Sequence, residues 1–389
     1  MSSPKVIFLP WDEVDPSNTE RTPKLLHLIS QWYPVVPVRP GRLNQTVYDQ
    51  KVDRTARYLL FTLDEFNIFL TTLRAARRED VSLIFAEGSY FSLAGGMAAR
   101  IRGIPLVWDI HSNIRDLSTA LNKSPLFFRA NMFLERLLHR LATAVLVVSE
   151  REREVYGEMG FPGDKFEVIP TCADLSMLDP ALLPREEARS RLGIPLDTPM
   201  ILFFGTLNYR PNLESAQYII EDMMPAVRAQ VPGAVAFLAG SGELGMAPPE
   251  GVHMLGFVPD LGVWLSAADV CIAPIWKGVG ILTKVIDMLS AGRATVVSPL
   301  ALEGIPELAD GYNCLVGRDP SHFAEQVIRL LSDAELRGRL EREGRQLVEE
   351  QYCWEKMGPR LNDLLDRIID SPTVHPPSSR ENRRGVKDG

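Results

Sequence analysis

Lys284 and Asp287 stand three residues apart in the run Gly278-Val279-Gly280-Ile281-Leu282-Thr283-Lys284-Val285-Ile286-Asp287-Met288-Leu289-Ser290-Ala291-Gly292. On a helix that spacing sets an ammonium and a carboxylate on one face. Gly278 and Gly280 lie just ahead, and a glycine turn lets backbone N–H groups approach an anion closely. Lysine suits phosphate, and a carboxylate can accept hydrogen bonds from a ribose diol. The pattern predicts a site for a nucleoside diphosphate and its attached sugar, built without a metal.

Two other loops carry candidate chemistry. In Phe203-Phe204-Gly205-Thr206-Leu207-Asn208-Tyr209-Arg210-Pro211-Asn212 a strand is expected to end at Gly205 and a helix to begin near Pro211 or Asn212. Arg210 there offers a planar fork for phosphate oxygens; the alternative is a solvated loop arginine. Its expected position at the same sheet end as Lys284 favours the first. Pro105-Leu106-Val107-Trp108-Asp109-Ile110-His111-Ser112-Asn113 also reads as a strand running into a polar loop. His111 at that edge is placed to meet a sugar or an acceptor, or is a satisfied structural histidine. Asp109 is placed to orient it.

Several other chemistries are excluded. Gly240-Ser241-Gly242-Glu243-Leu244-Gly245 matches G-x-G-x-x-G, but Met246-Ala247-Pro248-Pro249 follows where a dinucleotide fold needs a helix N-terminus. It reads as a loop at a strand end. There is no H-E-x-x-H, no G-x-S-x-G and no Walker loop. No two aspartates are separated by a single residue, so the D-x-D metal signature of many sugar transferases is missing. No cofactor is expected.

Short apolar runs alternate with helical patterns along most of the chain. Strands are expected at Val6–Pro10, Val35–Val38, Leu83–Ala86, Leu106–Trp108, Ala144–Val148 and Phe166–Ile169, with helices such as Leu93–Arg102 and Phe127–Leu141 between them. This alternation implies an α/β fold with parallel sheets covered on both faces, whose ligands collect at the carboxyl ends of the strands. Pro180, Pro184, Pro195 and Pro199 break the rhythm around a short charged helix. The division expected is a first domain over 1–175, a linker over 176–198, a second domain over 199–355, a closing helix over 356–370 and a disordered tail over 371–389.

The 389 residues fit two domains, and 46% hydrophobic with 24% charged residues is ordinary for a soluble protein. A net charge of -8 argues against nucleic acid as a partner. Cys172, Cys271, Cys314 and Cys353 are widely spaced, which suits free thiols in a reducing compartment. With a strand expected at Lys5–Leu9 no secretory leader is expected, and no apolar run approaches the roughly 18–20 residues needed to span a bilayer. A cytoplasmic location is expected.

The second half resembles the nucleotide-sugar-binding domain of GT-B fold glycosyltransferases, in particular the retaining family 4. The stretches that carry the resemblance are Phe204–Asn212, Val252–Val258, Ala267–Val270, Gly278–Gly292 and Glu307–Val316. Asp109-Ile110-His111, Ala144–Ser149 and Glu167–Pro170 echo the first domain of that family. The resemblance implies two Rossmann-like domains facing a cleft, the acceptor on the first and the donor on the second. It implies transfer with retention from a nucleoside-diphosphate sugar to a glycan, a lipid-linked or a small-molecule acceptor. Gly205, Arg210, Gly278, Gly280, Lys284 and Asp287 would bind the donor; His111, Arg210 and Lys284 would serve catalysis.

The chain departs from the family pattern at two places. Where members often carry two glutamates eight apart, it has Val279 and Asp287, as in a branch with a glycine turn followed by lysine and an acidic residue. The Gly-Gly turn usual near the N-terminus is absent from Pro10–Pro16. The Phe127–Leu141 stretch combines Phe127, Phe128, Met132 and Phe133 with Arg129, Arg136, His139 and Arg140. It reads either as a peripheral membrane-docking face for lipid-linked acceptors or as a core-packing helix, and apolar periodicity favours the second. Two rival activities share the architecture: a sugar-nucleotide 2-epimerase and a non-catalytic binding scaffold.

Overall fold

The computed structural model describes residues 3–10, 21–38, 54–78, 80–89, 92–120, 123–278 and 280–371. Two six-stranded sheets organise them, and every strand pairing in both is parallel. The first contains β1 (Lys5–Leu9), β2 (Val35–Pro37), β3 (Val81–Glu87), β4 (Leu106–Ile110), β5 (Ala144–Val147) and β6 (Phe166–Val168), in the order β2-β1-β3-β4-β5-β6. The second contains β7 (Met200–Phe204), β8 (Val235–Ala239), β9 (Val252–Gly256), β10 (Val270–Ala273), β11 (Thr295–Val297) and β12 (Leu315–Val316), in the order β12-β11-β10-β7-β8-β9. Helices cover both faces. That is why β4, β7 and β10 are buried at every residue, and why β7 and β10 read as unbroken apolar runs.

In the second sheet the chain runs outward from β7 through β8 and β9, then returns to β10 on the other side of β7. The carboxyl ends of β7 and β10 therefore form a topological switch point, where connecting loops diverge and leave a crevice. The loop after β7 carries Gly205–Tyr209, and the loop after β10 carries Pro274–Leu282.

The segment between the domains is less of a free connector than its prolines imply. Helix Arg185–Leu192 buries Ala188 and Arg189 completely. Arg189 donates to the carbonyls of Ala267, Pro195, Leu196 and Thr198 at 2.7–3.0 Å and pairs with Asp269 at 2.7 Å. Asp269 also accepts from the backbone N–H of Met200, the first residue of β7. One guanidinium thus clips the connection to the sheet it introduces.

The closing helix, Trp354–Asp370, packs on the first domain rather than the second. Trp354, Leu361, Leu364, Leu365 and Ile368 join a core with Val6, Phe8, Leu25 and Ile29. Tyr33 donates to Asp366 at 2.6 Å across the same contact. The chain therefore crosses between domains twice, and the crossings are hydrogen-bonded to each other: Ala173 N–H to the carbonyl of Tyr352 at 2.8 Å and Trp354 N–H to that of Ala173 at 3.1 Å. All four cysteines are buried and unpaired. The polar tail beyond Ser371 and the loop at 11–16 lie outside the described residues.

Arg189→Ala leaves the buried Asp269 carboxylate with only the partly exposed Arg185 as a cationic partner, and deprives four carbonyls of their donor. It is expected to destabilise the fold by about 3–5 kcal/mol, read as a lower urea midpoint. A midpoint unchanged from wild type would show that the clip is dispensable.

Candidate functional site

Lys284 sits on helix Thr283–Ser290, which starts directly after the glycine turn that follows β10. Its ammonium donates to Asn212 Oδ1 at 2.6 Å and lies 4.7 Å from the centre of the Phe203 ring. Asn212 is held in turn, donating through Nδ2 to the carbonyl of Thr206 at 2.9 Å. These groups converge on Gly205. A Cβ there would lie 2.6 Å from Lys284 Nζ and 2.7 Å from Asn212 Nδ2, and the φ of +151° is one that side chains avoid. Glycine at 205 is what admits the lysine and the asparagine to the end of β7.

Burial lowers the Lys284 pKa to about 7, with the Asp287 charge pulling the other way. Burial likewise raises Asp287 to about 7, opposed by Lys284. The Asp287 carboxylate accepts no hydrogen bond among the described residues. An ammonium and a carboxylate, both held near neutrality for want of solvent, are poised for a charged partner.

Arg210 opens the neighbouring helix, Arg210–Tyr218, with Pro211 in its first turn. Its side chain is exposed and bonds Glu214 at 2.7 Å. It does not join the Lys284 cluster, but borders a cavity of about 500 Å³ that also meets Asp116, Arg151, Trp276, Gly278 and Glu303. Asp116 and Arg151 come from the first domain and the others from the second, so the cavity lies between the domains. Arg151 and Glu303 approach to 3.9 Å across it. The G-x-G-x-x-G loop is followed by no helix. Its backbone packs on the Gly205 loop instead, with Leu207 N–H donating to the Ser241 carbonyl at 2.7 Å.

His111 follows β4, which extends two residues past the expected Trp108. Its Nε2 lies 3.0 Å from Asp109 Oδ2 and 3.9 Å from Glu87 Oε1. Asp109 is gripped from the other side by Arg21, through Nε at 3.0 Å and Nη2 at 2.6 Å. Burial alone would raise the Asp109 pKa, but Arg21 and His111 hold it well below the usual range. Burial would lower His111, yet the Asp109 hydrogen bond and charge raise it. Glu87 is pushed by burial to about 7. Glu87, Asp109 and His111 offer three donor atoms within 4.8 Å of one another, a spacing that suits a cation. A cation is already there, since Arg21 takes both Asp109 oxygens.

The two halves of the site touch. A Cβ on Gly280, whose φ is +68°, would come 2.8 Å from the carbonyl oxygen of His111. Of the residues singled out from sequence, Lys284 and Gly205 meet directly, and Gly280 meets His111. Gly278 shares the cavity with Arg210, and Val279 lies outside the described residues. Arg21, Glu87 and the bond from Asn212 to Lys284 have no sequence signal, because their partners are remote in the chain.

Comparison with known proteins places both domains in a family. The pattern described as Glycosyl transferases group 1 matches residues 198–333, and that described as Glycosyltransferase Family 4 matches residues 31–177. A UDP-Gal:alpha-D-GlcNAc-diphosphoundecaprenol alpha-1,3-galactosyltransferase of Escherichia coli is 23% identical, over 67% of this chain and 66% of its own length. A D-inositol 3-phosphate glycosyltransferase of Xylanimonas cellulosilytica is 27% identical, over 70% of this chain and 68% of its own. The match thus spans about two thirds of each relative. The Anabaena HepE structure in complex with UDP and glucose superposes with a TM-score of 0.67 at 15% identity, covering 93% of this chain and 99% of that one, which speaks for the fold alone. With both domains matched in order, the chain belongs to the group 1, family 4 glycosyltransferases of GT-B fold.

Proposed function

We propose that this glycosyltransferase moves a sugar from a nucleoside-diphosphate sugar to a hydroxyl acceptor, with retention and without a metal. The observation that carries the proposal is the convergence of Lys284, Asn212 and Gly205 at the switch point of the second sheet, with Asp287 on the same helix. Lys284 neutralises the diphosphate as it leaves, and Arg210 reaches it by exchanging Glu214 for phosphate oxygens. Backbone N–H groups of Gly278 and Gly280 add donors, and Asp287 accepts from the ribose diol. The acceptor oxygen bonds to the anomeric carbon as the bond to the diphosphate breaks, and its proton passes to the departing phosphate oxygen. His111 meets the sugar or the acceptor from the first domain. Arg21 already holds the charge that a cation beside Asp109 would supply.

The acceptor is a glycan, a lipid-linked saccharide or a small molecule. The galactosyltransferase relative, by its name, acts on a diphosphoundecaprenol-linked sugar. Leu126 and Phe133 project from helix Pro125–Leu141 at 77% and 73% exposure, beside exposed Arg129, Arg136 and Arg140. His139 is buried on the other face, against Phe161 and Phe166. The helix thus packs inward on one side and offers an apolar, basic stripe on the other, which suits peripheral contact with an anionic membrane. No described helix is long and apolar enough to cross one. The cytosol, where free thiols persist, is the proposed place of action.

Lys284→Ala is expected to stay folded and to lose about ten- to hundredfold in transfer rate, as removal of a charge-assisted contact of about 1.5–3 kcal/mol implies. Wild-type turnover of the folded variant, or loss of activity in chelator with recovery in magnesium or manganese, would overturn these assignments. A product epimerised at C2 with no acceptor present would favour the epimerase. Since free Lys284 titrates near 7, a bound diphosphate must recharge it at pH 8. Titration calorimetry of UDP in two buffers of different ionisation heat should therefore show proton uptake, and Lys284→Ala should abolish it. Equal heats in both buffers would contradict the role of Lys284. For the membrane stripe, Phe133→Glu should cut co-sedimentation with anionic vesicles severalfold while leaving UDP affinity intact; unchanged sedimentation would reject the contact.

A further inference from the structure

Arg21 touches more separate parts of the molecule than a simple ion-pair partner needs to. It is the first described residue of helix Arg21–Trp32 and is 5% exposed. Its Nε and Nη2 grip both oxygens of Asp109, at the end of β4. Its Nη1 donates to the carbonyl of Pro170 at 2.9 Å, where the chain leaves the first domain. Its Cζ lies 5.9 Å from the centre of the Trp354 ring, where the chain returns. Those outbound and returning segments are the two crossings already joined through Ala173. The next residue, Thr22, hydrogen-bonds Glu87. One helical turn therefore holds both carboxylates that face the His111 ring.

We infer that Arg21 is a positioning residue that couples the interdomain crossing to His111, so that the setting of the two domains fixes the imidazole of the residue whose backbone meets the donor turn. The coupling is contiguous. Pro170 and Trp354 hold the guanidinium, the guanidinium holds Asp109 by two bonds, and Asp109 holds Nε2 of His111. A guanidinium is a planar, rigid fork, so a shift at the crossing cannot be absorbed by rotation about a single bond. The charged groups facing the imidazole are Asp109 from β4, Glu87 from the end of β3 and Arg21 itself. The carbonyl of His111 meanwhile abuts Gly280 of the other domain. His111 is thus held by its ring from the crossing and met at its backbone by the donor turn. The inference rests on the reading that His111 works in the cleft.

The test uses the full chain with nitrogen-15-labelled histidine, and His111→Ala assigns the His111 signal among the six histidines. Arg21→Lys keeps a positive charge but loses the fork and the second Asp109 bond. In that variant the His111 ring proton is expected to exchange with water faster than in wild type and its tautomer to become mixed. Turnover should fall about tenfold or more with the KM for the donor unchanged, because a misplaced group costs rate rather than ground-state binding. The loss should vanish in the His111→Ala background. An unchanged ring spectrum in Arg21→Lys would overturn the coupling, as would losses that simply add in the double variant. If His111→Ala alone leaves turnover intact, the reading of His111 in the cleft fails, and the ring spectrum by itself decides the coupling. Should Arg21→Lys not fold, the Arg21→Gln, Asp109→Asn pair removes both charges of that ion pair together. The same change in ring exchange is expected there, and a wild-type spectrum would overturn the coupling.

Discussion

The architecture of the second domain turns on a space the size of one hydrogen atom. Gly205 follows β7 without a side chain, and Lys284 Nζ and Asn212 crowd the position a Cβ would take. Lys284 and Asn212 both depend on that close approach. Asn212 is reached only because its helix begins five residues after Gly205. Lys284 is reached only because the helix after β10 starts at Thr283, on the neighbouring strand. The switch in strand order separates these loops, and the glycine lets them meet again over the sheet edge.

Both domains bring charge to the carboxyl ends of their sheets and keep water away from it, but they solve the problem differently. In the first, Arg21 satisfies Asp109 fully, so a buried charge is matched before any ligand arrives. In the second, Lys284 has one neutral acceptor, and Asp287 accepts no hydrogen bond among the described residues. The first half-site pairs its buried aspartate with a guanidinium and an imidazole; the second sets its ammonium against a neutral amide. That asymmetry fits a division in which one domain orients groups and the other binds the charged partner.

The strands and the shared helix of Lys284 and Asp287 were legible because their determinants are local. Unbroken apolar runs such as Met200–Phe204 announce parallel strands, and the Gly278–Asp287 spacing places its own helix face. The Asp109–His111 pair was legible for the same reason, being two residues apart. Arg21 was not, because 88 residues separate it from Asp109 and only the folded sheet brings them together. Arg210 illustrates the opposite gap. Its position at the sheet edge is readable, while the phosphate reading of a loop arginine leaves out its bond to Glu214, an ordinary i,i+4 helix pair. The linker prolines pointed to a connector but could not reveal that Arg189 inside it is fully buried.

The return of the last helix to the first domain has a consequence for biosynthesis. Leu25, Ile29, Val6 and Phe8 are covered by side chains that lie beyond Cys353, after the whole second domain. A ribosome emits the first sheet with one apolar flank bare and must translate the second sheet before supplying its cover. The first domain is consequently the earlier to appear and the later to be finished. During that interval its open flank is the surface on which a nascent-chain chaperone would settle, and on which two unfinished copies would meet.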